Sequence, residues 1–402
     1  MLWLNKILNR LEGDKVIWMI VILLSMVSLL AVYSSTGTLA YKYQSGNTEY
    51  YLLKHLALII FSLGLMYLAH KLDYRYYSKA AQILLLVAIP LLAYTLFLGT
   101  DLNAAKRWIT LPVINISFQT SDLAKLALIM FLARVLSKKQ DYIKEFKGAF
   151  LPILFPVFIV CALIAPADLS TAVVLFITSL ILMFLGRVHL KHILGLVAVS
   201  AIAGVVFVSI LLSIPDESLV AFGRGPLTWK HRIEAFSDDT GQESYQVQQA
   251  KIAIAKGGVL GQGPGNSTQR NFLPHPYSDF IYAIIIEEYG IMGGLVLIIL
   301  YLVLLYRTIK IVAKSPKAFG ALLAVGLSLS LVIQAFIHMA VSVNLLPVTG
   351  LTLPLVSMGG TSLFFTSVSI GIVLSVSRNA EELDEIKNKL DINQSKATLS
   401  YV

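Results

Sequence analysis

Ten stretches of this chain are apolar over lengths that only a lipid bilayer requires: about 15–35, 51–69, 78–99, 121–137, 149–165, 169–186, 189–213, 279–308, 318–342 and 351–377. A helix needs about 20 mostly apolar residues to cross a hydrocarbon core about 30 Å thick, and only a backbone bonded to itself can enter it. Little of a 402-residue chain is then left for anything else, so the predicted fold class is an all-α polytopic membrane protein with ten transmembrane helices. The composition agrees, with 57% hydrophobic and 14% charged residues against about 45–50% and 25% in soluble domains. That balance excludes a disordered chain, a coiled coil, collagen and a secreted disulfide scaffold. The single cysteine, Cys161, excludes an internal disulfide and a CxxC metal site and reads as a small apolar core residue. Residues 1–14 read as an interfacial stub, 15–378 as one membrane domain and 379–402 as a mobile polar tail. The first span is too long for a signal-peptide core, so no cleavage is expected.

The formal charge of +9 would suggest nucleic acid in a soluble protein. Here it reports orientation. With the N-terminus cytoplasmic, 21 Lys and Arg fall on inner segments and 10 on outer ones, and short loops alone divide 21 against 4. The positive-inside rule therefore predicts both termini inside. The basic surplus lies at the anionic cytoplasmic leaflet, so membrane lipid is its partner and no nucleic acid is implied.

Most connections are short; the exception is a segment at about 214–278, outside the membrane, between the seventh and eighth spans. Loops of this length are usually functional or disordered, and this one is not low in complexity. It carries Trp229 to Ile233, an amphipathic stretch at 243–258 that includes Gln248, and a turn marked by Gly261, Gly263 and Gly265. No strand precedes these glycines, so they read as sharp turns or close backbone approaches rather than a nucleotide loop.

Ionisable groups in or beside the membrane are costly and suggest function. Asp122 and Lys125 are neighbours on one helix face, as a neutralising pair or as substrate ligands. Asp168 precedes the sixth span and either caps it or faces substrate. Asp279 stands where the long loop meets the eighth span, behind Pro274 and Pro276; a partly desolvated carboxylate there suits a general base, with helix capping as the alternative. Glu287 lies about 12 Å further along the helix and about 80° around it, beyond the roughly 5–9.5 Å spacing of hydrolytic carboxylate pairs. Glu288 points away. One base, rather than a hydrolytic pair, is expected.

Several motifs occur in order: Tyr33-Ser34-Ser35; Ala105 to Ile109, with Lys106, Arg107 and Trp108; Gln119 to Lys125; Asp168 to Ala172; the Gly258–Gln269 segment; Asp279-Phe280-Ile281 with Glu287 to Gly290; and Pro347 to Gly350 running on through Leu353 to Gly360, with Ser357. Together they resemble the SEDS family (shape, elongation, division and sporulation), over about 15–378, and are closer in style to its division branch. The resemblance implies a ten-span peptidoglycan glycosyltransferase of the bacterial cytoplasmic membrane. It would polymerise lipid II on the outer face, extend a nascent glycan strand, and work with a class B penicillin-binding protein and other division proteins at the septum. The family's essential aspartate falls on Asp279. Departures flank it: His275 and Tyr277 stand where the family often has Glu and His, so those roles do not carry over, and Asp122 replaces a frequent Glu.

On that reading Asp279 deprotonates a sugar 4-hydroxyl, which displaces undecaprenyl pyrophosphate from the lipid-linked strand with inversion to a β-1,4 linkage. Lys106, Arg107, Lys125 and Arg232, or a divalent cation, would balance the leaving charge; the metal is unknown and no other cofactor is implied. Trp108, Gln119, Asp122, Asp168, Gln248, Gly263, Pro274, Glu287, Ser357 and Gly360 complete the expected substrate-binding set. The alternatives are a lipid II flippase, which would depend on Asp122, Lys125 and Asp168 instead, an elongation-type polymerase, and a non-catalytic scaffold.

Overall fold

Asp14 opens the ordered architecture: its carboxylate accepts from the Val16 and Ile17 N–H groups and caps the first helix, α1 (Lys15–Ser35). In the computed structural model the described residues are 12–43, 46–102, 105–110, 117–221, 224–237 and 245–400, so residues 1–11 of the expected stub lie outside the description. Three helices follow, α2 (Gly37–Tyr43), α3 (Thr48–Lys71) and α4 (Tyr74–Leu98). Next come a small antiparallel sheet of β1 (Thr100–Leu102), β2 (Ala105–Thr110) and β3 (Ser117–Gln119), then α5 (Thr120–Lys138). A π-turn at Phe146–Phe150 runs into α6 (Leu151–Ile164), and α7 (Leu169–Leu185) and α8 (Leu190–Ser213) follow. The long connection folds into α9 (Asp216–Ala221), α10 (Arg224–Ser237) and α11 (Tyr245–Gly257). The chain closes with α12 (Ile281–Lys314), α13 (Ala318–Ser342) and α14 (Thr361–Ser400).

Each of the ten expected stretches overlaps a helix, and among the described residues eight are long and apolar enough to cross a membrane. The other two are α7, which is shorter at 17 residues, and α5, which carries Asp122, Lys125 and Arg134. The chain is therefore a polytopic membrane protein built of helices. Its apolar surface fits that reading, since large side chains such as Leu86, Phe97, Phe158 and Val205 stand exposed along the helix flanks.

The structure corrects the sequence reading in two places, the segment around 100–119 and the start of the last helix. Residues 100–102, 105–110 and 117–119, read as part of a short loop, form the three-stranded sheet, whose β-branched and aromatic residues (Trp108, Ile109, Thr110, Phe118) suit a half-buried pleat. The helix expected at about 243–256 within the long connection is present as α11 (Tyr245–Gly257), with α9 and α10 before it. The last helix begins at Thr361, not near 351, because Pro354 and the Gly359-Gly360 pair cannot continue a helix. The polar stretch after residue 378 continues α14 to Ser400. Its start is tied by Arg378 to Glu382 one turn on and by Lys314 of α12 to Asp384 at 2.9 Å.

α14 packs along α3, α5 lies between α4 and α13, and α12 runs beside α13. At one end of this bundle Asp14 bonds Arg307 at 2.6 Å, its backbone N–H donates to Ser377, and Glu12 approaches Lys71 and Arg378 at 3.5 Å. The opposite end holds the sheet, the α9–α11 connection and Asp279. There Lys230 bonds Asp216 at 2.8 Å and joins α10 to α9; hydrogen bonds from Lys230 and then His231 pull the Asp216 carboxyl below its ordinary range.

Candidate functional site

The geometry around Asp279 rests on a broken helix. Within α12, Gly290 has φ 70° and ψ −176°, which interrupts the helical ladder. The glycine segment repairs the break: Gln262 and Gly263 N–H donate to the Glu287 and Glu288 carbonyls at 2.9 Å, and Ile291 N–H donates to the Gly258 carbonyl at 2.9 Å. The approach is close enough that a Cβ on Gly261 would lie 2.2 Å from the Glu288 carbonyl oxygen. The next residues are seized by two buried carboxylates. Glu287 accepts from the Ser267 hydroxyl, from Thr268 N–H and hydroxyl at 3.0 Å, and from Gln269 N–H at 3.2 Å. Glu288 accepts from the Ser34 hydroxyl, and Arg270 holds the Ser34 carbonyl at 2.9 Å. The structure thus places Glu287 and Gly263 in the anchorage of the long connection onto α12, and both Glu287 oxygens are occupied there.

Beyond the anchor the chain turns at His275, with φ 68°, and delivers Asp279 to the mouth of α12. Asp279 is half-buried; its N–H donates to the His275 carbonyl and its carboxylate accepts from Ser278 at 2.8 Å. It does not cap the helix, because α12 starts from Phe280 with no side-chain cap. This leaves the carboxylate available for chemistry, whereas Asp168 does cap α7, accepting from Thr171 N–H at 3.0 Å.

A second irregular segment, 343–360, closes over this turn. Its stretch from Leu351 to Ser357 is mostly buried yet non-helical, so its polar backbone needs partners. His338 and Gln334 of α13 hold the Leu351 and Thr352 carbonyls at 2.8 Å, Tyr301 the Pro354 carbonyl at 2.5 Å and Ser28 the Val356 carbonyl at 2.7 Å. Ser357 donates to the Ser278 carbonyl at 2.7 Å, and Met358 N–H to the Tyr277 carbonyl at 3.0 Å. Ser357 therefore fixes the residue beside Asp279. Leu355 at φ 63° is a left-handed leucine held in place by these bonds. Arg232 of α10 donates to the Thr349 carbonyl at 3.3 Å, which puts a guanidinium against the same segment.

A buried polar cluster lies deeper along α13. Lys125 bonds Asp122 at 2.8 Å and Gln334 at 3.1 Å, beside a water-sized cavity also lined by Ser330, Ser362 and Thr366. Removing one partner of such a pair strands the other charge. Lys125→Met is therefore expected to destabilise the folded protein by about 3 kcal/mol. Adding Asp122→Asn should recover most of the loss, read as detergent-solubilised thermal unfolding in a double-variant cycle.

The remaining expected residues scatter. Gln119 pairs with Trp108 across β2 and β3, and its N–H donates to the Thr361 hydroxyl at 3.3 Å, which sets the sheet beside Gly360 at the head of α14. The Lys106 and Arg107 side chains lie outside the described residues. Gln248 and Pro274 are exposed. Among the described residues no group of three or more His, Cys, Asp or Glu stands together to hold a metal. The sequence reading missed His338 and Gln334. Their signal was present as Ser330, Gln334, His338 and Ser342, a polar row at four-residue spacing on one face of an apolar helix.

The family model described as "Cell cycle protein", of the FtsW, RodA and SpoVE type, matches residues 14–382. A probable peptidoglycan glycosyltransferase FtsW from Geobacter sp. (strain M18) is 32% identical over 378 residues, covering 92% of this chain and 98% of the relative. Stage V sporulation protein E of Bacillus subtilis (strain 168) is 32% identical over 380 residues, with the same coverages. Among solved structures, RodA of Thermus thermophilus aligns with TM-score 0.66 at 23% identity, covering 92% of this chain and 99% of that one. A chain of a peptidoglycan synthase complex, described as coordinating polymerization and crosslinking, aligns with TM-score 0.70 at 24% identity over 92% of this chain and 98% of that one. With the family model spanning nearly all of the helical bundle, the chain belongs to the FtsW, RodA and SpoVE family, the SEDS proteins.

Proposed function

We propose that this protein is a peptidoglycan glycosyltransferase that polymerises lipid II at the outer face of the bacterial cytoplasmic membrane, in septal wall synthesis. The observation that carries this reading is the Asp279 carboxylate. It is half-buried, unused as a helix cap, and held between two irregular segments whose backbones are bonded in place. The fold reading that goes with it is ten spans, both termini cytoplasmic, with the Asp279 end outside. A lipid-linked sugar explains why a base sits where a loop enters a membrane helix.

In this mechanism Asp279 takes the proton of the acceptor 4-hydroxyl as the oxygen attacks the anomeric carbon of the donor strand. The C–O bond to pyrophosphate breaks on the opposite face and its electron pair stays with the phosphate oxygen. A single base suffices because pyrophosphate is a good leaving group, and Glu287 is occupied by the 267–269 backbone. Arg232, whose guanidinium meets the Thr349 carbonyl, would balance the leaving charge. The partner that crosslinks the product would be a class B penicillin-binding protein. The relatives named FtsW glycosyltransferase and the aligned synthase complex support both parts of this reading.

The test is to measure glycan polymerisation and lipid II translocation separately, on the purified protein with its transpeptidase. Polymer that depends on Asp279 supports the reading. Translocation without polymer, dependent on Asp122 and Lys125, would replace it with the flippase.

A further inference from the structure

Ser28 departs from a pattern of this bundle. Ser35, Ser62, Ser342 and Ser369 each bond back, within their own helix, to the carbonyl four residues earlier, at 2.6 to 2.9 Å. Ser28, fully buried in α1, instead sends its hydroxyl out of the helix to the Val356 carbonyl at 2.7 Å. A carbonyl only accepts, so Ser28 donates there. The Ser28 oxygen also lies 2.8 Å from Nε2 of His55 in α3, so Nε2 carries a proton and donates to it. His55 is buried to 1% exposure, and its Nδ1 has no hydrogen-bond partner among the described residues, so the Ser28 bond alone orients the ring. In this rotamer Ser28 forgoes the bond to Leu24, four residues back, and the N–H of His55 offsets that loss.

Val356 belongs to a tight turn at 353–357. The Val356 and Ser357 N–H groups close it onto the Leu353 carbonyl at 3.1 and 2.9 Å, and Leu353 N–H donates to the Ser357 hydroxyl at 2.8 Å. That same hydroxyl donates to the Ser278 carbonyl at 2.7 Å, and Ser278 donates to the Asp279 carboxylate at 2.8 Å. We propose that His55 is a positioning residue for the reaction: it holds Ser28 in the rotamer that reaches Val356, and so sets the turn from which Ser357 fixes the Asp279 loop. The inference rests on the polymerase reading above, and His55 acts through Ser28 without touching substrate. Without the His55 donor, Ser28 reverts to the bond within its own helix that Ser35 makes one turn and a half further on. The buried Val356 carbonyl then loses its partner, and the turn shifts to find another. Ser357 moves with it, because one hydroxyl both closes the turn and bonds Ser278. A base displaced by about 1 Å from its acceptor hydroxyl loses rate without losing substrate affinity.

The experiment compares His55→Leu with His55→Gln in the full chain with its transpeptidase. The glutamine amide N–H stands where Nε2–H stood, whereas leucine fills space and donates nothing. In His55→Leu, kcat for strand synthesis should fall about tenfold to a hundredfold with KM for lipid II little changed, and His55→Gln should return it to within a few-fold of wild type. Adding Ser28→Ala to His55→Leu should cost no further rate, since the two residues act in one chain of bonds. Wild-type kcat in His55→Leu, a glutamine variant no better than leucine, or additive losses would each overturn the proposal. A second measurement needs no activity. Amide hydrogen exchange across 351–360 should quicken in His55→Leu and in Ser28→Ala, stay near wild type in His55→Gln, and leave the distant helices unchanged. Unmoved exchange at 351–360, or faster exchange throughout the bundle, would overturn it. Where His55→Leu is not recovered folded, Ser28→Ala, which removes a single hydroxyl, carries both measurements. If the wild-type protein made no polymer, the proposed activity would fall, and hydrogen exchange would still decide whether His55 holds the turn.

Discussion

Replacing Asp279 by Asn is expected to lower glycan polymerisation by about a hundredfold to ten-thousandfold, the range that general-base catalysis supplies. The substitution keeps the side-chain volume and the hydrogen bond from Ser278, and no helix cap is lost because Asp279 caps nothing. Thermal unfolding should therefore stay near wild type, and the loss should lie in kcat rather than in KM for lipid II. Asp168→Asn makes the contrasting control. Asp168 caps α7, and Asn caps almost as well as Asp, so the rate should be nearly unchanged. Strand synthesis by Asp279→Asn within a few-fold of wild type would remove Asp279 as the base. Equal loss in both aspartate variants would point instead to a general requirement for acidic residues at this end of the bundle.

The helices were legible because membrane burial writes itself into the sequence as length and apolarity, two properties that need no tertiary information. That is why α1, α3 and α13 fall where hydropathy puts them. At 351–360 the residues are as apolar as a helix, but the backbone is irregular and is held by Ser28, Tyr301, Gln334 and His338 from three other helices. Partners so distant in sequence leave no local pattern. The sheet escaped for a different reason, since strands of three and six residues are too short to show a periodic pattern, and in α12 an apolar run conceals a break at Gly290. Asp279 was legible by a different route, as a costly charge at a membrane boundary. Glu287 and Glu288 were legible as unusual but not in role, since nothing local says that a loop 20 residues upstream will occupy their oxygens. His338 was overlooked because a histidine in an apolar helix usually reads as core, and its role depends on the Leu351 carbonyl, which the irregular segment brings back onto the helix.

The break at Gly290 supports the largest expected effect on folding. Its φ of 70° with ψ of −176° lies in a region that is essentially glycine's alone. A Cβ there would stand 2.1 Å from the Val259 carbonyl oxygen and 2.6 Å from the Gly261 backbone nitrogen. Neither neighbour is a flexible side-chain end, so both the conformation and the space exclude an added methyl. Gly290→Ala is therefore expected to cost on the order of 5 kcal/mol, in the exceptional range for a point change, and most of the chain should fail to reach a stable solubilised form. The alternative relief is for residue 290 to become helical. That would pull α12 straight and leave the Gln262, Gly263 and Ile291 N–H groups without the carbonyls they now bond. The 257–269 segment would then lose its seat on Glu287, and the turn that presents Asp279 would lose its support. Limited proteolysis distinguishes the two outcomes: global loss cleaves the chain throughout, whereas local straightening opens cleavage within 258–278 alone and abolishes polymerisation in protein that is otherwise folded. A Gly290→Ala protein with wild-type melting, protection and activity would show that the break in α12 is not needed, and the anchorage of Asp279 would have to be sought elsewhere.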